Sequence, residues 1–331
     1  MTTLITGSSG FVGLALAERL LASGEDVVGF DLRAAPVTAR AAFATLPGRF
    51  DEYQGDVRSA QDITRAMQRC KPRQVVTLAA VTAGAERERL APQSIFEVNL
   101  CGVLTAVNAA ADQGVSRVVQ ISSGSVYGAT GRDAALLCED ASPLLPEGLY
   151  GLSKSTAEEA AVRLAGLRGL PLVIGRLGTC FGPWEADTGV RDTLSAPLQI
   201  LEIARRGGTA ILPRDSRRDW LYVRDAAQAI VDLLAQPAWK SSVYNLGAGF
   251  LWSLSQWCER LGSRHCGFSW RIAGPDETPN INLYADYDRA AMAIDRLRDD
   301  TGFAPRFDLD AADHDFHHWL ALTAGMDKGE K

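Results

Sequence analysis

Short runs of β-branched and other apolar residues alternate with stretches of helical periodicity through the first half of the 331-residue chain. Such alternation predicts parallel strands joined by crossover helices, because each helix returns the chain to the edge at which the next strand begins. The predicted strands are 2–6, 26–30, 74–78, 117–122 and 172–176, and the predicted helices are 11–23, 60–70, 94–113 and 150–167. The pattern indicates an α/β fold, a Rossmann-type doubly wound parallel sheet.

Composition excludes several classes of protein. With 40 acidic against 34 basic residues and a net charge of -6, no basic stripe suits a nucleic acid. The N-terminus lacks the pattern of a signal peptide and no apolar run reaches spanning length, so no membrane partner is expected. The cysteines lack Cys-x-x-Cys spacing, which favours reduced thiols in the cytoplasm over disulfides or a metal site; they are Cys70, Cys101, Cys138, Cys180, Cys258 and Cys266.

Histidine is confined to the last quarter of the chain, at residues 265, 314, 317 and 318. Because the motifs upstream contain none, we expect the general acid/base there to be a tyrosine. We interpret the cluster at 314–318 as a helix face rather than a metal site.

A glycine-rich turn follows the first predicted strand. Gly7, Gly10 and Gly13 follow a Gly-x-x-Gly-x-x-Gly spacing, with Phe11 and Val12 opening the helix. Glycine permits a tight turn and close backbone approach, and a helix N-terminus offers amides to a pyrophosphate, so this is a candidate dinucleotide site.

The end of the second predicted strand supports the same interpretation. Asp31 lies there, eighteen residues past Gly13, and can accept hydrogen bonds from ribose hydroxyls. Its charge would repel a 2′-phosphate, so NAD is favoured over NADP, although Arg33 close by leaves NADP open. An ordinary strand-to-helix turn is the alternative for the glycines alone.

Tyr150 and Lys154 stand four residues apart on a predicted helix, with Ser123 upstream. Positions i and i+4 share a face, so the ammonium can favour the ionised phenol. At about 4 Å and an effective dielectric of about 20 this attraction is worth about 4 kcal/mol, which can bring a phenol pKa from about 10 towards about 7. Tyr150 could then act as acid and base, with Ser123 bonded to the same substrate oxygen; a chance helical pair is the alternative.

With these motifs the chain resembles the extended short-chain dehydrogenase/reductases of the NAD-dependent epimerase/dehydratase family over nearly its whole length. The resemblance implies that Tyr150 is the acid/base, Lys154 its ribose-binding partner and Ser123 the residue that orients the hydroxyl. It further implies contacts to the cofactor NAD from Asp56, Val57, Leu78, Ala79, Ala80 and Asn99. The alternatives are that Asp56 caps a turn and that Asn99 satisfies buried backbone groups.

The pattern loosens beyond residue 177. A loop at 178–192 is expected to shape the substrate pocket. Strands at 220–223 and 243–246 are expected to rejoin the main sheet, with a helix at 226–235 between them. Residues 250–331 are expected to form small helices and short strands. We predict an NAD-binding domain, 1–177 plus 219–248, and a smaller C-terminal substrate-binding lobe, 178–218 plus 249–331.

Candidate substrate contacts are Ser123, Thr179, Trp184, Arg191 and Arg218. The ligand class favoured is a sugar, nucleotide-linked by its family resemblance, with a free sugar or sugar acid as the alternative. The family often has an asparagine where Thr179 stands. It also often has an arginine ahead of an acidic segment late in the chain, whereas residues 274–288 of this chain contain no arginine. Both differences weaken the case for a diphosphate on the substrate.

The reaction is left open between epimerase and dehydrogenase. A 4,6-dehydratase is disfavoured, because this family's dehydratases follow the catalytic hydroxyl residue with Asp-Glu, whereas Gly124 and Ser125 follow Ser123. A non-catalytic NAD-sensing protein is a further alternative. Apolar residues on helices 94–113 and 150–167 predict a homodimer, as is common in this family.

Overall fold

The computed structural model describes residues 1–189, 193–283 and 285–326. Its strands are β1 (Thr2–Thr6), β2 (Asp26–Asp31), β3 (Phe50–Gln54), β4 (Gln74–Thr77), β5 (Arg117–Ser123), β6 (Leu172–Leu177), β7 (Thr179–Phe181), β8 (Thr209–Leu212), β9 (Arg217–Arg218), β10 (Trp220–Tyr222), β11 (Val243–Leu246), β12 (Trp252–Ser253) and β13 (Ser269–Ile272). Its helices are α1 (Phe11–Ala22), α2 (Val37–Phe43), α3 (Ala60–Cys70), α4 (Ala85–Leu90), α5 (Pro92–Phe96), α6 (Gly102–Asp112), α7 (Thr130–Asp133), α8 (Leu149–Arg168), α9 (Ala196–Arg205), α10 (Val223–Ala235), α11 (Leu254–Arg264), α12 (Asp295–Thr301) and α13 (Leu309–Met326).

A seven-stranded parallel sheet has the order β11-β6-β5-β4-β1-β2-β3. The strand order reverses between β1 and β4, so a crevice opens at their carboxyl ends, where ligands bind in doubly wound folds. One face of the sheet packs against α1 and α10 and the other against α3, α6 and α8. The predicted doubly wound sheet is confirmed, with strand ends within a residue or two of those expected.

Two predictions about strands need correction. Residues 220–223 do not rejoin the main sheet, because β10 pairs in parallel with β7 in a separate two-stranded sheet. β7 itself lies within 178–192, which the sequence predicted as a loop. Trp220 and Tyr222 pack in the apolar cluster of α9, α11 and α13, whereas β11 joins the edge of the main sheet as predicted.

The helix expected at 94–113 is interrupted. A π-helical turn, Glu97–Cys101, separates α5 from α6 and holds Asn99 in the protein interior. Of the described residues, the stretch Pro92–Asp112 has the length and apolar composition of a possible membrane span, which the sequence analysis did not expect. Because Val103, Ala106 and Val107 lie in the cluster shared with α3 and α8, we interpret it as a core helix.

Candidate active site

A cavity of about 930 Å³ lies at the carboxyl ends of the central strands. Its lining includes residues that follow β2, β1, β4, β5 and β6, which is their order across the sheet. Residues predicted to hold the cofactor therefore lie towards β2, and Thr179 lies beyond β6. Between them the wall carries Ser123, Tyr150 and Lys154.

The glycine turn brings two backbone segments into close approach. Gly7 has φ +72°, and a β-carbon there would lie 2.6 Å from the Cα of Ala79. A β-carbon on Gly13 would lie 2.3 Å from the carbonyl oxygen of Gly7. Only glycine fits these two positions, so the turn stays narrow and the cavity reaches the backbone.

The helix that follows this turn opens towards the cavity. Gly10, Phe11 and Val12 line it, and the N-cap position of α1 is Gly10, which has no side chain to fill the space in front of the helix. A twelve-residue helix presents a positive dipole end and amide donors at this position, which suits a pyrophosphate.

Asp31 occupies the end of β2, where the sequence predicted a ribose-binding carboxylate. It accepts hydrogen bonds from the backbone amides of Ser9, at 3.1 Å, and Arg33, at 3.2 Å. Burial raises the pKa of Asp31 from its ordinary value, and these amide donors work against that rise. The carboxylate is thus held at the mouth of the glycine turn.

Asp56 and Val57 line the cavity after β3. The Asp56 carboxylate accepts a 2.6 Å hydrogen bond from Arg58, which lowers the pKa of Asp56. Because that carboxylate is already paired, its contact with a cofactor stays a prediction.

Leu78, Ala79 and Ala80 line the cavity directly after β4. The amides of Leu78 and Ala79 both donate to the hydroxyl of Thr6, at 3.1 and 3.2 Å, so β1 fixes this segment.

Asn99 lies behind the cavity wall, fully buried. Its amide group exchanges two hydrogen bonds with the backbone of Val81, at 2.9 and 3.0 Å, and donates to Ser153. The side chain therefore positions Val81 and α8, as in the alternative given from the sequence, and its contact with a cofactor stays a prediction.

Ser123, Tyr150 and Lys154 line one part of the cavity. The Ser123 hydroxyl accepts from the amide of Ser125 at 3.1 Å. Lys154 donates from Nζ to the carbonyl oxygen of Ile121 at 3.0 Å, and burial lowers its pKa to about 8. All three predicted residues thus line the same cavity, with the lysine anchored on the strand that carries the serine.

Arg289 is a cavity residue that the sequence analysis missed. It lies against Gly124, where a β-carbon would be 3.0 Å from its Nη1, and it donates to the Thr179 hydroxyl at 3.4 Å. The segment 274–288, which contains no arginine, ends one position before it. Nothing in the sequence pattern distinguishes Arg289 from a surface arginine.

Arg218 lies beside it, 7% exposed. Its Nη2 donates to the carbonyl oxygen of Tyr287 at 3.2 Å. Burial and the neighbouring charge of Arg289 lower the pKa of Arg218 to about 10. Among the described residues neither arginine forms a salt bridge, and the charges of Asp219 and Asp288 offset part of the effect of burial on Arg289 and Arg218.

Trp184 is placed mainly in the core. Its indole nitrogen donates to Glu18 at 3.0 Å, and its ring packs edge-on against Phe43 and Trp319. It is 7% exposed at the border of the cavity, so its contact with a substrate stays a prediction. Arg191, the other predicted contact in this segment, lies outside the described residues.

A cluster of Arg132, Glu147 and Tyr287 at the cavity joins residues that are distant in sequence. The Arg132 guanidinium lies 3.9 Å from the centre of the Tyr287 ring and pairs with Glu147 at 2.8 Å. Glu147 also accepts from the Tyr287 hydroxyl at 3.1 Å. The segment that carries Arg289 is therefore tied to the turn that precedes α8.

Comparison with known proteins gives the family. A profile of the NAD dependent epimerase/dehydratase family matches residues 3–247. The UDP-glucose 4-epimerase of Mycolicibacterium smegmatis is 27% identical over 312 residues, which cover 93% of this chain and 95% of that protein. The dTDP-glucose 4,6-dehydratase of Xanthomonas campestris pv. campestris is 26% identical over 259 residues, or 74% of this chain and 71% of that protein.

The fold is also shared with solved structures. That of MoeE5 in complex with UDP-glucuronic acid and NAD superposes with a TM-score of 0.78 at 24% identity. The alignment covers 98% of this chain and 100% of MoeE5.

Proposed function

Since the chain belongs to the NAD-dependent epimerase/dehydratase family, we propose that it interconverts a secondary alcohol and a ketone on a nucleotide-linked sugar, as an epimerase or a dehydrogenase. NAD is the cofactor of this family. The narrow glycine turn, the N-terminus of α1 that begins at Phe11 and the carboxylate of Asp31 fit a dinucleotide without a 2′-phosphate.

The observation that carries the proposal is the order of groups along the cavity. Because β5 lies between β4 and β6, Ser123 separates the residues suited to a dinucleotide from Thr179 and the two arginines. A sugar carbon between these sets would adjoin Ser123 and Tyr150. Such an arrangement holds donor and acceptor together, which is the main contribution of a protein to this chemistry.

Each residue has a distinct part in the step. Ser123 hydrogen-bonds the reacting oxygen, and Tyr150 takes its proton as general base or returns it as general acid. Lys154, anchored on Ile121, favours the ionised phenol through its charge and has further donors for a ribose. NAD, when bound, supplies the hydride acceptor that this step requires.

Arg218 and Arg289 support a nucleotide diphosphate on the substrate. The Arg218 guanidinium is buried, and both its burial and the charge of Arg289 lower its pKa, so this pair of cations is costly without an anion. Arginine binds phosphate oxygens with paired hydrogen bonds. The expectation from the sequence that the diphosphate donors are reduced is therefore offset by Arg289.

A free sugar or sugar acid is the alternative substrate, and an epimerase and a simple dehydrogenase differ only in the fate of the ketone. Gly124 and Ser125 after Ser123 disfavour dehydration, because they offer no acid or base for elimination. A cytoplasmic location stays a prediction. A protein that senses NAD without turnover is the alternative to an enzyme.

The test is a panel of UDP- and dTDP-sugars, free sugars and sugar acids with NAD, in which nicotinamide absorbance and product configuration are both measured. Changed configuration without NADH indicates an epimerase, and accumulating NADH indicates a dehydrogenase. Tyr150→Phe should abolish turnover while binding of NAD, measured by calorimetry, persists. Equal turnover in wild type and Tyr150→Phe would refute the mechanism, and no turnover across the panel would favour an NAD-sensing protein.

A further inference from the structure

Behind Lys154 lies a buried ion pair that the proposed mechanism does not use. Glu158 stands one turn further along α8 and Arg176 near the end of β6, and each is 4% exposed. Arg176 donates from Nε to one carboxylate oxygen of Glu158 at 3.1 Å and from Nη2 to the other at 2.7 Å. Two parallel hydrogen bonds fix the orientation of both side chains.

Arg176 is itself held from the opposite side. Its Nη1 donates to the Tyr127 hydroxyl at 3.0 Å, and that hydroxyl donates to Asn245 Oδ1 at 2.8 Å. Asn245 in turn donates to the carbonyl oxygen of Leu137 at 2.9 Å. The guanidinium therefore has no freedom to follow a change of charge at Lys154.

Charges of both signs surround Lys154 and its neighbours. Lys154 and Arg176 carry one positive charge each, and Glu158 carries one negative charge. Glu139 adds a second carboxylate beyond Arg176, where it accepts from the backbone amide of Asn245 at 2.9 Å and acts electrostatically on Tyr127. Burial lowers the pKa of Lys154, and the carboxylate of Glu158 counteracts this effect.

We infer that Glu158 and Arg176 are positioning residues that control the charge of Lys154. The negative charge of Glu158 stabilises the ammonium form of Lys154, and the positive charge of Arg176 partly offsets that stabilisation. The catalytic value of this control rests on the proposed function. The control itself does not, because the charge of Lys154 can be measured without turnover. A purely structural pair would tie α8 to β6 and leave that charge unchanged.

The experiment is an NMR titration of full-length protein with lysine labelled by ¹³C and ¹⁵N, in which Lys154→Arg assigns the signal. Glu158→Gln should lower the midpoint of the Lys154 titration by about one pH unit or more, since an opposite charge nearby is worth that much. Arg176→Gln should raise it, because Glu158 then acts on Lys154 alone. Glu159→Gln, the exposed neighbour on the same helix, should leave it unchanged.

Loss of one partner of a buried pair can prevent folding, so the double variant E158Q/R176Q is included, because it removes both partners of the pair. It should also lower the midpoint, by less than Glu158→Gln does, because the loss of the Arg176 charge acts in the opposite direction. An unchanged midpoint in a folded Glu158→Gln or double variant, or shifts of the same sign in both single variants, would overturn the inference. Absence of turnover across the substrate panel would leave these shifts in place, so the two failures are distinguishable.

Discussion

Gly7 and Ala79 approach each other so closely that a β-carbon on residue 7 would lie 2.6 Å from the Cα of Ala79. The contact joins the turn after β1 to the segment after β4, where the strand order of the sheet reverses. The width of the cavity floor therefore depends on the absence of one methyl group.

Replacing Gly7 with alanine tests this relationship. The φ of +72° costs a non-glycine residue about 1–2 kcal/mol, and the clash with Ala79 adds displacement of the turn. We expect lower thermal stability and much weaker binding of NAD by calorimetry. Gly24→Ala is the control, because Gly24 has φ +80° and open space around it; it should lose stability but keep its affinity for NAD.

Arg289→Gln tests the anion site. Loss of a hydrogen bond to a charged group costs about 1.5–3 kcal/mol, which is about a 10- to 100-fold change in an equilibrium constant. We expect KM for a nucleotide sugar to rise by that factor, with NAD affinity unchanged. Arg260→Gln, which removes an exposed pair with Asp310, should change neither value. An unaltered KM in Arg289→Gln would exclude the arginine from substrate binding.

The pH dependence of stability should have a contribution from His265, which contacts His317 in the C-terminal part. His265 and His317 are joined between their Nε2 atoms at 2.9 Å. Nδ1 of His317 faces the carbonyl oxygen of Asp313 at 2.8 Å and so carries its proton, which leaves His265 as the donor in a neutral pair. Burial and the neighbouring His317 lower the pKa of His265, and Arg205 and Arg264 add to this.

Below the ordinary histidine pKa of about 6.5 the unfolded chain therefore binds more protons than the folded chain, so stability should fall as the pH decreases from there. Melting temperatures of wild type at pH 8 and pH 5.5 should differ more than those of His265→Gln. His318→Gln, an exposed neighbour, should behave as wild type. A wild-type-like difference in His265→Gln would contradict the assignment.

The predicted homodimer also has a direct test. α8 exposes Leu152, Val162 and Leu167, which are 40%, 43% and 65% exposed. Light scattering of the wild-type protein should give twice the 35.6 kDa mass of one chain. The Val162→Asp variant should give the mass of a single chain. Leu322→Asp, at an exposed site on α13, serves as the control that should remain dimeric. A wild-type mass of one chain at micromolar concentration rejects the prediction.

The sequence by itself predicted six of the seven strands of the main sheet, all except β3, together with the glycine turn and the helical pair of Tyr150 and Lys154. These depend on local periodicity and on spacing within one helix or turn, which need no knowledge of distant residues. The sequence could not place β10, because whether a short apolar run joins the main sheet depends on the partners that are available.

Only the tertiary structure decided the surroundings of the site. Arg289 lies in the cavity wall against Gly124, although 165 positions separate them. Trp184 packs mainly in the core, and Asn99 hydrogen-bonds the backbone of Val81. The ion pair of Arg176 and Glu158 joins a strand to a helix in the same way. Such contacts arise where elements distant in sequence pack together, and the energy of a buried charge is determined by partners that one segment alone does not contain.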